Sequence, residues 1–426
     1  MKSLLSNIGI YIGWSFFAAI LSLFGAFFFA ATLPKNDFGS LVFFQMIMTN
    51  IATLSCFGLP AAYLKLRVEE RFKFDLRSLF STCIHIFLGT FGVMSFVAFV
   101  IFRLGSGTYT ATTTLLSLFA AALLGLILLS QAVVQGAEDA GLHGRLTAGR
   151  SLMSTTLGVG GVFFISPTYE VRVMTILIAL LVYSVFTLRV TRKYLNGRHN
   201  LSEGSGRSAK SQVSTVFFWC LKQYPIICLG VVIAIFDRWY VERFFGLSYL
   251  AEYGLAFQLA IAVRLLTQAI NRAYSPWFFN NFGRNGGGVQ PLKFSTGYVA
   301  AAIVLSIVCY FLAPVVNLFL PRSYEYVADI LRFLVFGRIL FAIAENFALY
   351  LYRDDKQGVM SVIVFLSLII QVAFTFGNSG AENILIPAIG YVYGMLSRVA
   401  FIFAALFFLK IPLSPSATRV YKEEGA

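Results

Sequence analysis

Charge is scarce in this chain: 12% of its 426 residues are Asp, Glu, Lys or Arg, against 58% hydrophobic. Soluble domains carry about twice that share of charge, so a water-soluble globular class is excluded. Histidine is scarcer still, and His85, His143 and His199 are too far apart in sequence to suggest a zinc site. Cys56, Cys83, Cys220, Cys228 and Cys309 lie in or beside apolar runs, a spacing that suits neither a disulfide framework nor a thiolate metal centre. Alternating segments of about ten residues, the mark of a transmembrane β-barrel, are missing. Gly286-Gly287-Gly288 lacks the Lys-Ser/Thr and the preceding strand of a phosphate loop, so no ATP site is expected. A cleavable signal peptide is also not expected, because the apolar run after Met1-Lys2 is too long for one and reads as a first span.

What the chain does have is apolar runs of about 20 residues, recurring from end to end. The reading is an all-α polytopic membrane protein with about twelve transmembrane helices. The spans fall near Ile8–Ala31, Phe38–Leu64, Ser78–Phe102, Thr113–Val134, Ser151–Ile165, Val173–Leu188, Val213–Ile235, Ala251–Ile270, Ser295–Phe319, Ala328–Leu351, Val359–Phe376 and Ile384–Leu409. Lys and Arg concentrate in one set of loops, including Lys65, Arg67, Arg71, Arg145, Arg150, Arg192, Lys193, Arg272 and Lys356. The opposite set has little beyond Lys35, Arg103, Arg172, Arg238, Arg243 and Arg322. Positive loops stay on the cytoplasmic side, which places both termini there. The net charge of +14 is mostly this asymmetry and does not argue for nucleic acid, which needs a basic soluble face.

A basic Ser/Gly-rich connection, about Thr191–Gln212, divides the chain into two six-helix lobes, residues 1–200 and 201–426. The halves repeat a pattern. Asp37-Phe38-Gly39 opens the second span and Glu252-Tyr253-Gly254 the eighth, an offset of about 215 residues, and Pro60 and Pro276 follow at similar distances. Six spans per half preserve orientation, so the repeat is parallel, as in two-lobed transporters.

Four cations, Lys222, Arg264, Arg338 and Arg398, sit at mid-span depth, all in the second half. Each would cost about 2.5–3.5 kcal/mol facing lipid, so they are expected to line a central cavity and meet an anionic substrate. Arginine offers a planar donor fork that matches phosphate, lysine a point charge. Glu345 lies two turns after Arg338 on one helix face, as a proton- or ion-coupling acid or as that arginine's structural partner. Asp237, with Arg238 and Trp239, closes span seven as an outer gate element or an interfacial anchor. Prolines such as Pro60, Pro225, Pro276, Pro314 and Pro387 are kink sites; Pro225, three residues after Lys222, is the gating hinge to consider.

The text around the repeats carries a resemblance. It runs Leu33-Pro34-Lys35-Asn36-Asp37-Phe38-Gly39 to Phe57-Gly58-Leu59-Pro60-Ala61-Ala62, and later Asp237-Arg238-Trp239, Glu252-Tyr253-Gly254 and Asn271-Arg272-Ala273-Tyr274-Ser275-Pro276-Trp277. This resembles the Wzx-type polysaccharide flippases of the multidrug/oligosaccharidyl-lipid/polysaccharide (MOP) exporter superfamily. The resemblance implies two MATE/MOP-like six-helix lobes around a central cavity in a bacterial inner membrane. It implies transfer of an undecaprenyl-pyrophosphate-linked oligosaccharide to the outer leaflet by alternating access, for surface polysaccharide such as O-antigen. Implied partners are the lipid bilayer and a polysaccharide polymerase with its chain-length regulator. No cofactor is implied beyond H+ or Na+ coupling, and no covalent chemistry. A small-molecule exporter of the same fold and a membrane-embedded glycan polymerase are the alternatives. The polymerase should show a long outer loop bearing catalytic residues, and the outer loops here are short.

Overall fold

The computed structural model describes residues 2–68, 76–104, 111–136, 139–197, 209–284, 291–354, 356–380 and 383–411. Gly286-Gly287-Gly288 and the middle of the basic connection lie outside the described residues. The helices are α1 (Lys2–Thr32), α2 (Lys35–Ser55), α3 (Leu59–Val68), α4 (Leu76–Leu104), α5 (Ala111–Gly136), α6 (Ala140–Phe164) and α7 (Tyr169–Gly197). They continue with α8 (Ala209–Phe245), α9 (Leu247–Arg284), α10 (Pro291–Leu312), α11 (Val327–Arg353), α12 (Gln357–Gly377) and α13 (Ile386–Phe408), with a 3₁₀ segment at Ala313–Phe319. Apart from α3, every one of these α-helices is at least 21 residues long, the length that crosses about 30 Å of hydrocarbon. Among the described residues, nine helices are apolar enough for that crossing. The other three long ones, α6, α9 and α11, are diluted by polar residues such as Arg145, Arg264 and Arg338. The chain is a multi-pass membrane protein.

Two expectations need correction. Span two is not one helix. It breaks at Cys56-Phe57-Gly58, where Phe57 (φ 50°) and Gly58 (φ 77°) both take left-handed backbone. Glycine does so freely, whereas Phe57 does so at a cost. Its ring stacks 5.5 Å from Phe217 and lies tilted 4.4 Å from Tyr224, and these aromatic contacts hold the break. Pro60 then sits near the start of α3, where a missing N–H costs little. Second, α8 does not end at Asp237. It continues two turns to Phe245, so Asp237 is an interior residue rather than an end cap.

The chain groups into two compact units, Phe28–Ile235 and a second made of Met1–Phe27 with Phe236–Ala426. In the first, α5 is the central helix, packed on α2, α4, α6 and α7, while α2 also meets α4 and α6 meets α7. In the second, α11 packs on α9, α10, α12 and α13, while α9 also meets α10 and α12 meets α13. Replacing α2, α4, α5, α6 and α7 by α9, α10, α11, α12 and α13 turns one set of pairings into the other. The repeat read from Asp37 and Glu252 is thus a repeat of helix packing. The two acids also act alike. Asp37 Oδ2 accepts from the Tyr169 N–H (3.3 Å) at the start of α7, and Glu252 Oε2 from the Tyr326 N–H (2.7 Å) at the start of α11. A carboxylate there meets unpaired amides and the positive end of the helix dipole.

Small residues let the central helices of the second unit approach. Gly390 and Gly394 of α13 form a stripe against Ser367, Gln371 and Thr375 of α12. A Cβ on Gly390 would collide with Thr375 Oγ1 and come within 3.3 Å of the Gln371 carbonyl oxygen. Gly390→Ala should therefore lower stability by about 1–3 kcal/mol. Gly297→Ala on α10, where nothing lies within 4 Å, should be neutral to within about 0.5 kcal/mol. Thermal unfolding of the detergent-solubilised protein checks both.

Candidate functional site

The second unit contains a buried polar network built along α11. Arg338, on its inner face, is 4% exposed. Its guanidinium lies 4.4 Å from the centroid of the Phe257 ring (α9) and 5.3 Å from that of Tyr391 (α13). Phe257 also receives Arg238 of α8, at 4.0 Å. Beside them Asp237, 1% exposed, is engaged on both oxygens. Its Oδ2 accepts from the Tyr253 hydroxyl and its Oδ1 from the Arg238 backbone N–H, each at 2.8 Å. Asp237 lies within electrostatic reach of both Arg238 and Arg338. One carboxylate thus serves two buried guanidiniums.

One turn further along α11, Phe341 repeats the arrangement. Its ring is shared by Arg264 of α9 (5.0 Å) and Arg398 of α13 (5.5 Å). Arg264 is partly exposed. With the Gln268 amide oriented by its neighbours, that oxygen accepts from Arg264 Nε and Nη2, each at 3.0 Å. Arg398 is 4% exposed, and its Nε donates to Ser367 Oγ at 3.4 Å. Glu345, one turn beyond Phe341 and partly exposed, interacts electrostatically with Arg398, Tyr352 and Tyr298. Arg238, Arg264, Arg338 and Arg398 therefore outnumber Asp237 and Glu345, with Glu252 drawn off to the start of α11. A guanidinium over an aromatic face gains about 0.5–2 kcal/mol, which offsets part of its desolvation.

No protein-family model matches the chain, and no curated protein matches it. Solved structures do. The MATE multidrug transporter DinF-BH, in a ligand complex, superposes with a TM-score of 0.70, at 15% identity, covering 96% of each chain. The MATE transporter ClbM in complex with Rb+ gives 0.61 at 16% identity, covering 99% of this chain and 97% of that one. A mutant of the Vibrio cholerae MATE transporter VcmN gives 0.59 at 14%, covering 96% and 97%. The chain has the MATE fold. Its neighbours are transporters, and a further one is described as a member of the MOP superfamily. At such identities the likeness establishes the fold and leaves the cargo to be argued.

Within this MATE fold the sequence-expected residues separate. Arg264, Arg338, Arg398, Glu345 and Asp237 all belong to the second unit. Lys222 and Pro225 belong to the first, both exposed on α8, which passes through Pro225 as helix. Arg338 and Glu345 do share a face of α11, but seven residues put them about 10 Å apart along its axis, too far to pair. Glu345 lies within electrostatic reach of Arg398 instead. Asp237 and Glu252 are deeper carboxylates, each 1% exposed.

Sequence reading missed Arg238 and Arg172, which it placed in outer loops. Arg172 is 5% exposed on the first turn of α7. It donates to the Ser154 carbonyl oxygen (3.0 Å) and to Thr175 Oγ1 (3.3 Å) and covers the Phe29 ring at 4.2 Å. Gly158 makes room for it, because a Cβ there would collide with Arg172 Nη1. A signal was present: arginine followed three residues later by threonine at a helix start. Among the described residues no three of His, Cys, Asp and Glu gather as a metal site.

Removing Asp237 leaves two buried guanidiniums without their shared anion. Asp237→Leu should cost about 3–5 kcal/mol, the usual result of stripping one partner from a buried charge cluster. Asp237→Asn, which keeps an acceptor for Tyr253, should cost clearly less. Thermal unfolding midpoints of the two purified variants measure the difference.

Proposed function

We propose that this chain is a flippase that moves an anionic lipid-linked oligosaccharide across a bacterial inner membrane by alternating access, with both termini cytoplasmic. One observation carries the reading: guanidiniums outnumber carboxylates inside the α8–α13 unit. Such an interior favours anionic cargo and disfavours the cationic drugs that an acidic site would take. The cargo implied by the sequence resemblance, an undecaprenyl-pyrophosphate-linked repeat unit, brings two phosphates that cannot cross about 30 Å of hydrocarbon unaided. A polysaccharide polymerase with its chain-length regulator would then use the flipped units.

Within this reading the roles differ. Arg264 keeps partial exposure, and its fork is held by the neutral amide of Gln268, so it is assigned first contact with the cargo's phosphate. Arg338 and Arg398 are reached only after rearrangement, and exposed Lys222 supplies a separate point charge. Glu345 is assigned coupling to H+ or Na+ because it is partly exposed and lies within electrostatic reach of Arg398 and two tyrosines. Gating at Asp237 means breaking its bond to Tyr253, and gating at Pro225 uses the helical hydrogen bond that proline lacks. A small-molecule exporter is the second reading, favoured by the MATE multidrug transporters among the structural neighbours.

In cells lacking this chain, complete lipid-linked repeat units should accumulate on the cytoplasmic leaflet and surface glycan should be lost. Unchanged glycan, with lost export of small molecules, would select the exporter instead. Arg264→Ala in the complemented strain should reduce flipping at least about tenfold, the scale of one charge-assisted phosphate contact, with normal protein in the membrane. Full flipping by Arg264→Ala would remove the assigned role.

A further inference from the structure

The seam between α12 and α13 contains polar atoms that no described residue satisfies. Gln371 is fully buried, and neither its amide nitrogen nor its amide oxygen has a hydrogen-bond partner. Arg398 Nη2 has none either, and its Nε reaches only the Ser367 hydroxyl. Ser367 and Gln371 are one turn apart on α12, and Gly394 and Arg398 one turn apart on α13, so the unsatisfied groups share one seam. Gly394 fixes the spacing, since a Cβ there would lie 3.0 Å from Gln371 Cβ and 3.4 Å from its amide oxygen. Tyr391, 2% exposed and with an unpartnered hydroxyl, lies within electrostatic reach of Arg398.

Each unsatisfied buried group forfeits its hydration without return, and the loss is greater where the group carries charge. Native proteins rarely tolerate several together, and each such group calls for a partner. Water would satisfy the donors and the Gln371 amide oxygen but leave the Arg398 charge offset only by the partly exposed Glu345. An anion answers both donors and the charge. The bulk of a glycosylated pyrophosphate does not fit between helices whose backbones approach over Gly390 and Gly394.

We infer that this seam is a binding site for a small monovalent inorganic anion, of the size and charge of chloride, held by Arg398 Nη2 and the Gln371 amide nitrogen. The anion completes the charge balance of α11–α13 and leaves the cargo's phosphate to Arg264. The site does not depend on the cargo reading, because it is complete within one unit and is assayed without cargo.

The test is equilibrium binding of ³⁶Cl⁻ to the purified full-length protein in detergent, with gluconate as the background anion. Saturable binding of about one ion per chain is expected, displaced by bromide and not by inorganic phosphate at equal concentration. Arg398→Gln and Gln371→Leu should each weaken it at least tenfold. Gln371→Leu fills the seam with an apolar side chain of similar size, so it remains informative should Arg398→Gln misfold. Absence of saturable binding would assign the seam to water and overturn the site. Equal displacement by phosphate, or unchanged affinity in both seam variants, would overturn it as well.

Discussion

The second unit is organised by the cost of keeping arginine out of water. An isolated guanidinium in an apolar interior loses several kcal/mol of hydration, and unlike lysine it does not escape by losing its proton. The fold answers with rings rather than with a matching number of acids. Phe257 is shared by Arg238 and Arg338, and Phe341 by Arg264 and Arg398. Guanidinium is weakly hydrated and flat, so an aromatic face is an adequate substitute for part of its water. Arg338, Phe341 and Glu345 recur every three to four residues on one side of α11. That helix must therefore be central, because a lipid-facing position would expose all three. Its small residues follow from the same need: Gly337 accepts the Tyr391 ring where a Cβ would lie 2.6 Å from it.

The repeat shows what is architectural and what is specific. Both units use one helix-pairing scheme, and in each an acid of the matching helix caps a helix start, Asp37 at α7 and Glu252 at α11, which are not counterparts in that scheme. Their interiors diverge. Around α3 the first unit is apolar, with Leu59, Tyr63, Leu66, Cys83, Phe87 and Cys220 buried together. Its one conspicuous buried cation described above, Arg172, bonds to a backbone carbonyl and to hydroxyls. The second unit concentrates the charge. Chemistry differs between the units while packing does not, so the asymmetry is imposed by residue choice on a common frame.

How much of this was legible in the sequence follows from the range of each interaction. Span number and the repeat depend on local hydropathy and short motifs, and both are visible in the chain itself. The depth of Arg264, Arg338 and Arg398 was legible for the same reason. Rotation was not, because nearly all-apolar helices carry almost no periodic signal. Hence Arg338 appeared as a partner for Glu345, when one faces Asp237 and the other Arg398. The break at Phe57-Gly58 was hidden because its support comes from Phe217 and Tyr224, about 160 residues away. Arg238 and Asp237 were misplaced because α8 overruns its hydrophobic segment by two turns, and only side-chain contact with Tyr253 and Phe257 of α9 shows that these two residues are buried. Sequence identified the charged residues; tertiary contact decided which of them meet.

A carrier must hold its cargo without being trapped by it. A ligand bound equally well in two states shifts neither, and one bound too tightly in a single state ends the cycle. Fully paired arginines would be inert, and fully exposed ones would bind phosphate in every state. The network lies between these limits. Arg398 rests on the Phe341 ring and the Ser367 hydroxyl, contacts that can be exchanged at a cost of about 1–2 kcal/mol each, whereas Arg338 also meets Asp237, and a buried charge cluster costs about 3–5 kcal/mol to break. Asp237, bonded on both oxygens, holds its end until the bond to Tyr253 breaks. Glu345 and Arg264 retain partial exposure at the other end, where the proposed cargo and coupling ion would enter and leave. The gradient from a doubly bonded carboxylate to a partly exposed arginine beside α11 gives the unit a more stable end and a more responsive end.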